Sequence, residues 1–284
     1  PLHKIPAEKK LDAAWIRSLY RREAPTSYTK AKNELKYIGM PAGGLHAGTV
    51  YLGGDGRLWL WGIYNDDREG VDPKTVLWNN GTEDVKVRNR DGANYVEPSI
   101  ADNKRVLEQG FAIRVEVAGK TMIKELKESD WQDIHFEATY PLAIIRYIDS
   151  DFPLEVTVKA GGIFIPLDPD NSAIPATVYS IQLKNKSGNN IKASVIGWME
   201  NGARKVTAKK DEGVKQNTIF EGAGYAGITG SFQANDSNAG QQRDAGTTSI
   251  TFVGGASRLN ADANPWPVTD LTFDKEDRKK VKAE

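Results

Sequence analysis

The chain has 284 residues, with 38 Lys plus Arg against 38 Asp plus Glu, and no cysteine. Zero net charge argues against a nucleic-acid wrapping protein, which needs excess basic charge to neutralise phosphates. Absent cysteine excludes disulfide frameworks, Cys-ligated metal sites and thiol nucleophiles. The 39% apolar share, with 27 glycines besides, is enough for a sizeable core. No stretch approaches the ~18 consecutive apolar residues of a membrane helix. Length alone is compatible with two ordinary domains or one large all-β unit.

The chain opens on Pro1 without an initiator Met, which reads as processing or excision from something longer. Leu11, Trp15 and Leu19 recur at spacing four, with Ile16 and Tyr20 beside them, and predict a helix over 7–22 that Pro25 stops. After it the period changes to two. Alternation is clearest at 111–117, 154–160 and 179–183. Further strands are predicted at 45–52, 57–64, 121–126, 134–139, 142–149, 191–199, 217–221 and 247–253. About eleven strands without intervening helices imply a large two-sheet antiparallel β-sandwich, all-β apart from the short N-terminal helix. The expected organisation is a helix and lead-in over 1–36, a sandwich over 37–274, and a charged tail or truncation point over 275–284, where eight of ten residues are charged. Two long irregular stretches, 65–80 and 234–246, read as functional or disordered loops.

The stretch 39–67 carries most of the candidate chemistry. Gly53-Gly54-Asp55-Gly56 reads as the turn of a hairpin between TVYL and RLWLW. The preceding GGLHAG is not a phosphate cradle, because no Gly-Lys-Ser/Thr and no helix follow. Trp59 and Trp61 fall on one face of a strand, with Leu58, Leu60 and Tyr64 on the other. Aligned indoles could stack on sugar rings or fill a core, and apolar residues on both faces favour the core. Asp66, Asp67 and Glu69 follow this strand, and Glu200 follows Trp198. Glycoside hydrolysis needs two carboxylates flanking the bond, but a spacing-free cluster is more often a solvated loop. His3, His46 and His135 lack metal-ligand spacing, so no metal site is expected. Asp168-Pro169-Asp170-Asn171 reads as a plain turn rather than a calcium loop. There is no G-x-S-x-G nucleophile elbow. No cofactor is called for, and no segment displays a self-sufficient active site.

Three segments together carry a family likeness: GMPAGGLHAGTVYLGGDGRLWLW, then YPLAIIRYIDSDFPLEVTVKAGGIFIPLDPDNSAIPATVYSIQLKN, then IKASVIGWMENG. They resemble the N-terminal β-domain of glycoside hydrolase family 116, which includes non-lysosomal glucosylceramidases and bacterial β-glucosidases and β-xylosidases. The likeness runs over 39–201 and more diffusely to 252. Its most specific parts are F-I-P-L-D at 164–168 with Ile174-Pro175, and W-M-E-N at 198–201. Gly162-Ile163 stands where the family usually shows Ser-Pro, and His46 where a small or aliphatic residue is typical, so a divergent, bacterial branch whose substrate need not be glucosylceramide is expected.

The resemblance implies a sandwich packed on a following (α/α)6 barrel that holds the nucleophilic Glu and the acid/base Asp. This chain is then expected to contain no catalytic residue. Its implied partners are its own C-terminal helical catalytic domain and a glycoside substrate, with no nucleic acid and no membrane span. The substrate-rim or carbohydrate-binding candidates are Trp59, Trp61, Tyr64, Asp66, Asp67 and His46. An independent carbohydrate-binding module, using Trp59, Trp61, Tyr64 or Trp78 as a platform, is the rival reading. A self-contained hydrolase built on Asp66, Asp67 and Glu200 is the third. Missing cysteine and the missing start lean towards an exported bacterial protein, periplasmic or secreted, although a reduced cytosol permits the same composition.

Overall fold

A computed structural model describes residues 10–21, 24–62, 74–78, 83–87, 107–205, 207–209, 211–235, 241–254 and 258–261, with the backbone alone at 49, 59–62, 74–78 and 83–87. The first element is α1 (Ala13–Leu19), shorter than the 7–22 pattern. It starts where the Asp12 carboxylate accepts the Trp15 N–H at 2.7 Å, a side-chain cap that fixes the first turn. It ends at Tyr20, before Pro25 acts. Leu11, Trp15, Leu19 and Tyr20 are all exposed.

The strands follow in order: β1 (Thr26–Thr29), β2 (Gly39–Pro41), β3 (Thr49–Gly53), β4 (Leu58–Gly62), β5 (Lys74–Trp78), β6 (Glu83–Val87), β7 (Gln109–Val117) and β8 (Lys120–Glu125). After them come β9 (Asp133–Thr139), β10 (Leu142–Ile148), β11 (Leu154–Gly162), the single turn α2 (Pro169–Ser172), β12 (Thr177–Asn185), β13 (Ile191–Met199), β14 (Gly213–Gly222), β15 (Tyr225–Ala234) and β16 (Thr248–Val253). The largest sheet has the order β1-β9-β10-β11-β12. Three three-stranded sheets run β13-β7-β8, β14-β15-β16 and β2-β3-β4, and β5 pairs with β6. Every pairing is antiparallel among the described residues. The fold is the expected all-β sandwich with one short N-terminal helix.

Period-two patterning places the core. On β10, Ala143, Ile145 and Tyr147 are buried, while Ile144 and Arg146 are only partly covered. On β11, Leu154, Val156, Val158 and Ala160 are buried and alternate with Glu155, Thr157 and Lys159. These join Ile134 and Phe136 of β9, Ile113 and Val115 of β7, and Val50, Leu52 and Leu58 in one apolar cluster. Each buried Val, Leu, Ile or Phe contributes about 1.5–3 kcal/mol by leaving water, before ordering costs. Two phenols pin the β3–β4 turn to this cluster. Tyr147 donates to the Asp55 carbonyl at 2.7 Å, and Tyr179 donates to the Gly56 carbonyl at 3.2 Å.

The strand reading missed β1, β2, β5, β6 and β15. Ten-residue β15 is the instructive case, because Gly227 and Gly230 break its apolar pattern. A Cβ on Gly227 would press on the Ile250 carbonyl at 2.6 Å, and one on Gly230 on the Asn201 side chain at 2.6 Å. Close packing selects glycine there, and glycine hides the strand from a propensity reading. The predicted strand at 45–52 begins only at Thr49, because His46 and Gly48 adopt positive φ in the preceding turn.

Candidate functional site: two signature segments

The predicted rim residues divide sharply. Tyr64, Asp66, Asp67 and Glu69 lie outside the described residues, as does most of 65–80, although the whole of β5 falls within that predicted loop. Trp59 and Trp61 lie on β4, whose register is bulged: Leu58 is opposite Leu52, Leu60 opposite Tyr51 and Trp61 opposite Val50. One extra backbone position, Trp59, therefore falls between paired positions, a β-bulge in the ladder. Trp78 ends β5. His46 is exposed in the Gly-rich turn, with φ at 61°. His135 faces Asp133, with Nε2 3.0 Å from a carboxylate oxygen.

The Gly-rich turn is fastened to the F-I-P-L-D loop. Leu45 N–H donates to the Ser172 carbonyl at 2.7 Å. A Cβ on Gly44 would collide with the Ile174 carbonyl, so only glycine allows this approach. Within the loop, the fully buried Ser172 hydroxyl donates to the Ile165 carbonyl at 3.1 Å and accepts the Ile165 N–H at 2.8 Å. Asp168 caps α2 through the Asn171 N–H at 3.1 Å and also accepts the Asn171 side-chain amide at 2.6 Å. That amide, then the Asn171 backbone N–H, holds the Asp168 carboxyl below its usual range. The turn predicted at 168–171 is thus a capped helical turn.

What this framework presents is apolar. Phe164, Ile165, Leu167 and Ile174 are exposed, and Leu167 reaches 103% exposure with φ at 67°. Exposed Leu45 is bonded through its backbone to Ser172, exposed Leu142 is opposite Gly161, and the exposed Tyr140 ring lies 5.7 Å from that of Phe164. Sequence reasoning singled out this loop by likeness but not by physics. Its available signal was an uncharged run, AGGIFIPL, in a chain that is 27% charged.

The W-M-E-N segment turns its side chains inward. Trp198 is buried against Ala112, with its indole N–H 3.4 Å from a Glu108 carboxylate oxygen. Glu200 accepts the Glu108 N–H at 3.1 Å through one oxygen and pairs with Lys205 through the other. The buried Asn201 amide donates to the Gln216 carbonyl, the Asn217 side chain and the Ser231 carbonyl, each at 3.0 Å. It thereby ties β13 to β14 and β15.

A family model described as "beta-glucosidase 2, glycosyl-hydrolase family 116 N-term" matches residues 39–277. The chain belongs to glycosyl-hydrolase family 116. The matched part is the N-terminal β-domain of that family, and no curated protein sequence matches the chain. In this family-116 domain the second signature segment is structural, and Glu200 is engaged on both oxygens. No group of three or more His, Asp or Glu is placed to hold a metal ion among the described residues. No described helix is long and apolar enough to cross a membrane.

One polar cluster escaped the sequence reading altogether. Arg204, 3% exposed in its side chain, pairs with Glu212 at 2.7 Å, donates to the Thr207 hydroxyl at 2.8 Å and lies 5.2 Å from the Phe232 ring centre. The buried Asp244 carboxylate accepts the Thr207 N–H at 2.8 Å. Asp244 falls in the loop predicted at 234–246, so the described end of that loop, 241–246, is ordered from within. Burial without full pairing would make these charges costly, and their mutual satisfaction marks a structural role.

Proposed function

We propose that this chain is the non-catalytic β-sandwich of a β-glucosidase-type glycoside hydrolase, buttressing a helical catalytic domain and lending loops to the rim of its substrate cleft. The observation that carries this reading is the match to the family's N-terminal model over 39–277. Two features support it. Glu200, the one described member of the Asp66, Asp67 and Glu200 trio, is committed to backbone and Lys205. The Gly-rich turn, a candidate rim element, is held rigidly by Ser172 and Ile174. Rigid loops on a scaffold are how binding residues are usually presented.

The test uses the full-length enzyme. Alanine at Trp61, Asp66 and Asp67 should raise KM or lower stability, because rim contacts position substrate at a domain junction. Unchanged kinetics and stability in all three would sink the reading. The 284-residue chain alone should not turn over an aryl β-glycoside, and measurable turnover would revive the self-contained hydrolase.

A further inference from the structure

We infer that the exposed apolar tip formed by Phe164, Ile165 and Leu167, flanked by Ile174, Leu45 and Tyr140, is the surface on which the helical catalytic domain of the same enzyme seats. This rests on the proposed function above for the existence of that domain and adds where it docks. Exposed apolar side chains scattered singly need no explanation, but a contiguous group does. These are joined: the Tyr140 and Phe164 rings meet at a tilt with centroids 5.7 Å apart, Asp168 N–H returns to the Ile165 carbonyl, and Leu45 N–H reaches the Ser172 carbonyl. With Leu142 added, their fractional exposures amount to on the order of 700 Å² of surface. That is about the share one partner gives to a standard stable interface, and within the range for contacts between domains of one chain.

Rigidity is the second argument. The tip is braced by the Ser172 hydroxyl, the Asp168 cap and the backbone junction at Gly44. A leucine at φ 67° costs roughly 1 kcal/mol or more, and complete exposure returns nothing in this chain alone. Seating Leu167 in an apolar pocket recovers that cost and loses little entropy, because the backbone is already fixed. The absence of charge over 160–167 selects an apolar partner, such as the groove between two packed helices. A second copy of this chain is the alternative occupant, and the test separates the two.

Hydroxyl-radical footprinting of the native full-length enzyme should label Leu167 at least tenfold less than in the guanidinium-unfolded enzyme. A native-to-unfolded ratio near one overturns the inference, and so does protection that disappears on dilution, which would signal a second copy. A photo-crosslinker installed at Leu167 should capture a peptide C-terminal to residue 284 of the same molecule. Capture within 1–284, between molecules, or of nothing overturns it. Leu167→Asp should raise labelling of Phe164 and Ile165 several-fold while Ile145 and Val158 stay protected, the latter showing that the sandwich remains folded; unchanged labelling of Phe164 and Ile165 overturns it. Free labelling of Leu167 with rim variants that still alter KM would refute the docking surface and leave the proposed function standing.

Discussion

The two segments that carry the family likeness use their side chains in opposite directions. At 198–201, Trp198, Glu200 and Asn201 are all spent on internal contacts. At 164–168, the internal work falls to Asp168, Ser172 and the backbone, while Phe164, Ile165 and Leu167 face outward. A recognisable motif therefore does not by itself mark a functional surface. What separates the two is whether the large side chains of the motif are spent inside or left facing out.

That contrast can be broken by substitution. Trp198→Ala should have the largest effect, lowering stability by about 3–5 kcal/mol in chemical denaturation, as expected for a buried indole. Asn201→Ala should cost about 1–3 kcal/mol, since it leaves the Gln216 and Ser231 carbonyls without their donor. Replacing the exposed His46 by glycine should instead leave the domain unchanged or stabilise it by up to about 1 kcal/mol, because relief of the positive φ offsets the added entropy of the unfolded chain. A fall in melting temperature would show that His46 has a structural partner. Acid should loosen the outward loop locally. Asp168 has a folded pKa below its unfolded value, so its contribution is present above the usual carboxylate range near ~3.9 and is lost as pH falls through the folded pKa. Faster amide exchange at Asn171 in that acid window, without global unfolding, is the expected readout. Leu167→Ser should be the mildest, within about 0.5 kcal/mol of wild type in the intrinsic stability of the sandwich. A larger loss would mean that the tip is packed internally and would erase the contrast.

Much of the framework was legible in sequence because burial on one sheet face imprints a period of two. β10, β11, β12 and β13 were found within two residues at either end for that reason. β15 was not, because two glycines required by neighbouring groups interrupt its pattern. The helix was over-extended because an apolar spacing of four says nothing about the Asp12 cap that begins it. At the site, Asp168 was legible as a turn residue, but the roles of Ser172 and Leu45 depend on chain segments more than 120 residues apart and leave no local mark. Similarly, Glu200 read only as one carboxylate of a loose group, and its contacts to the Glu108 N–H and to Lys205 leave no mark in the local sequence.

Because the outward loop is fixed by the Ser172 hydroxyl, the Asp168 cap and backbone bonds rather than by its tip side chains, its shape and its surface chemistry are separable. The Ser172 hydroxyl bonds to the backbone of Ile165, and the Asp168 carboxylate cap to Asn171, so neither contact depends on which side chains stand at 164, 165 and 167. Those three positions can drift together without altering the contour they sit on. Exchanging a few tip residues would then change what the surface recognises while leaving its shape intact. Chimeras that graft positions 164, 165 and 167 between relatives should therefore fold as readily as their parents.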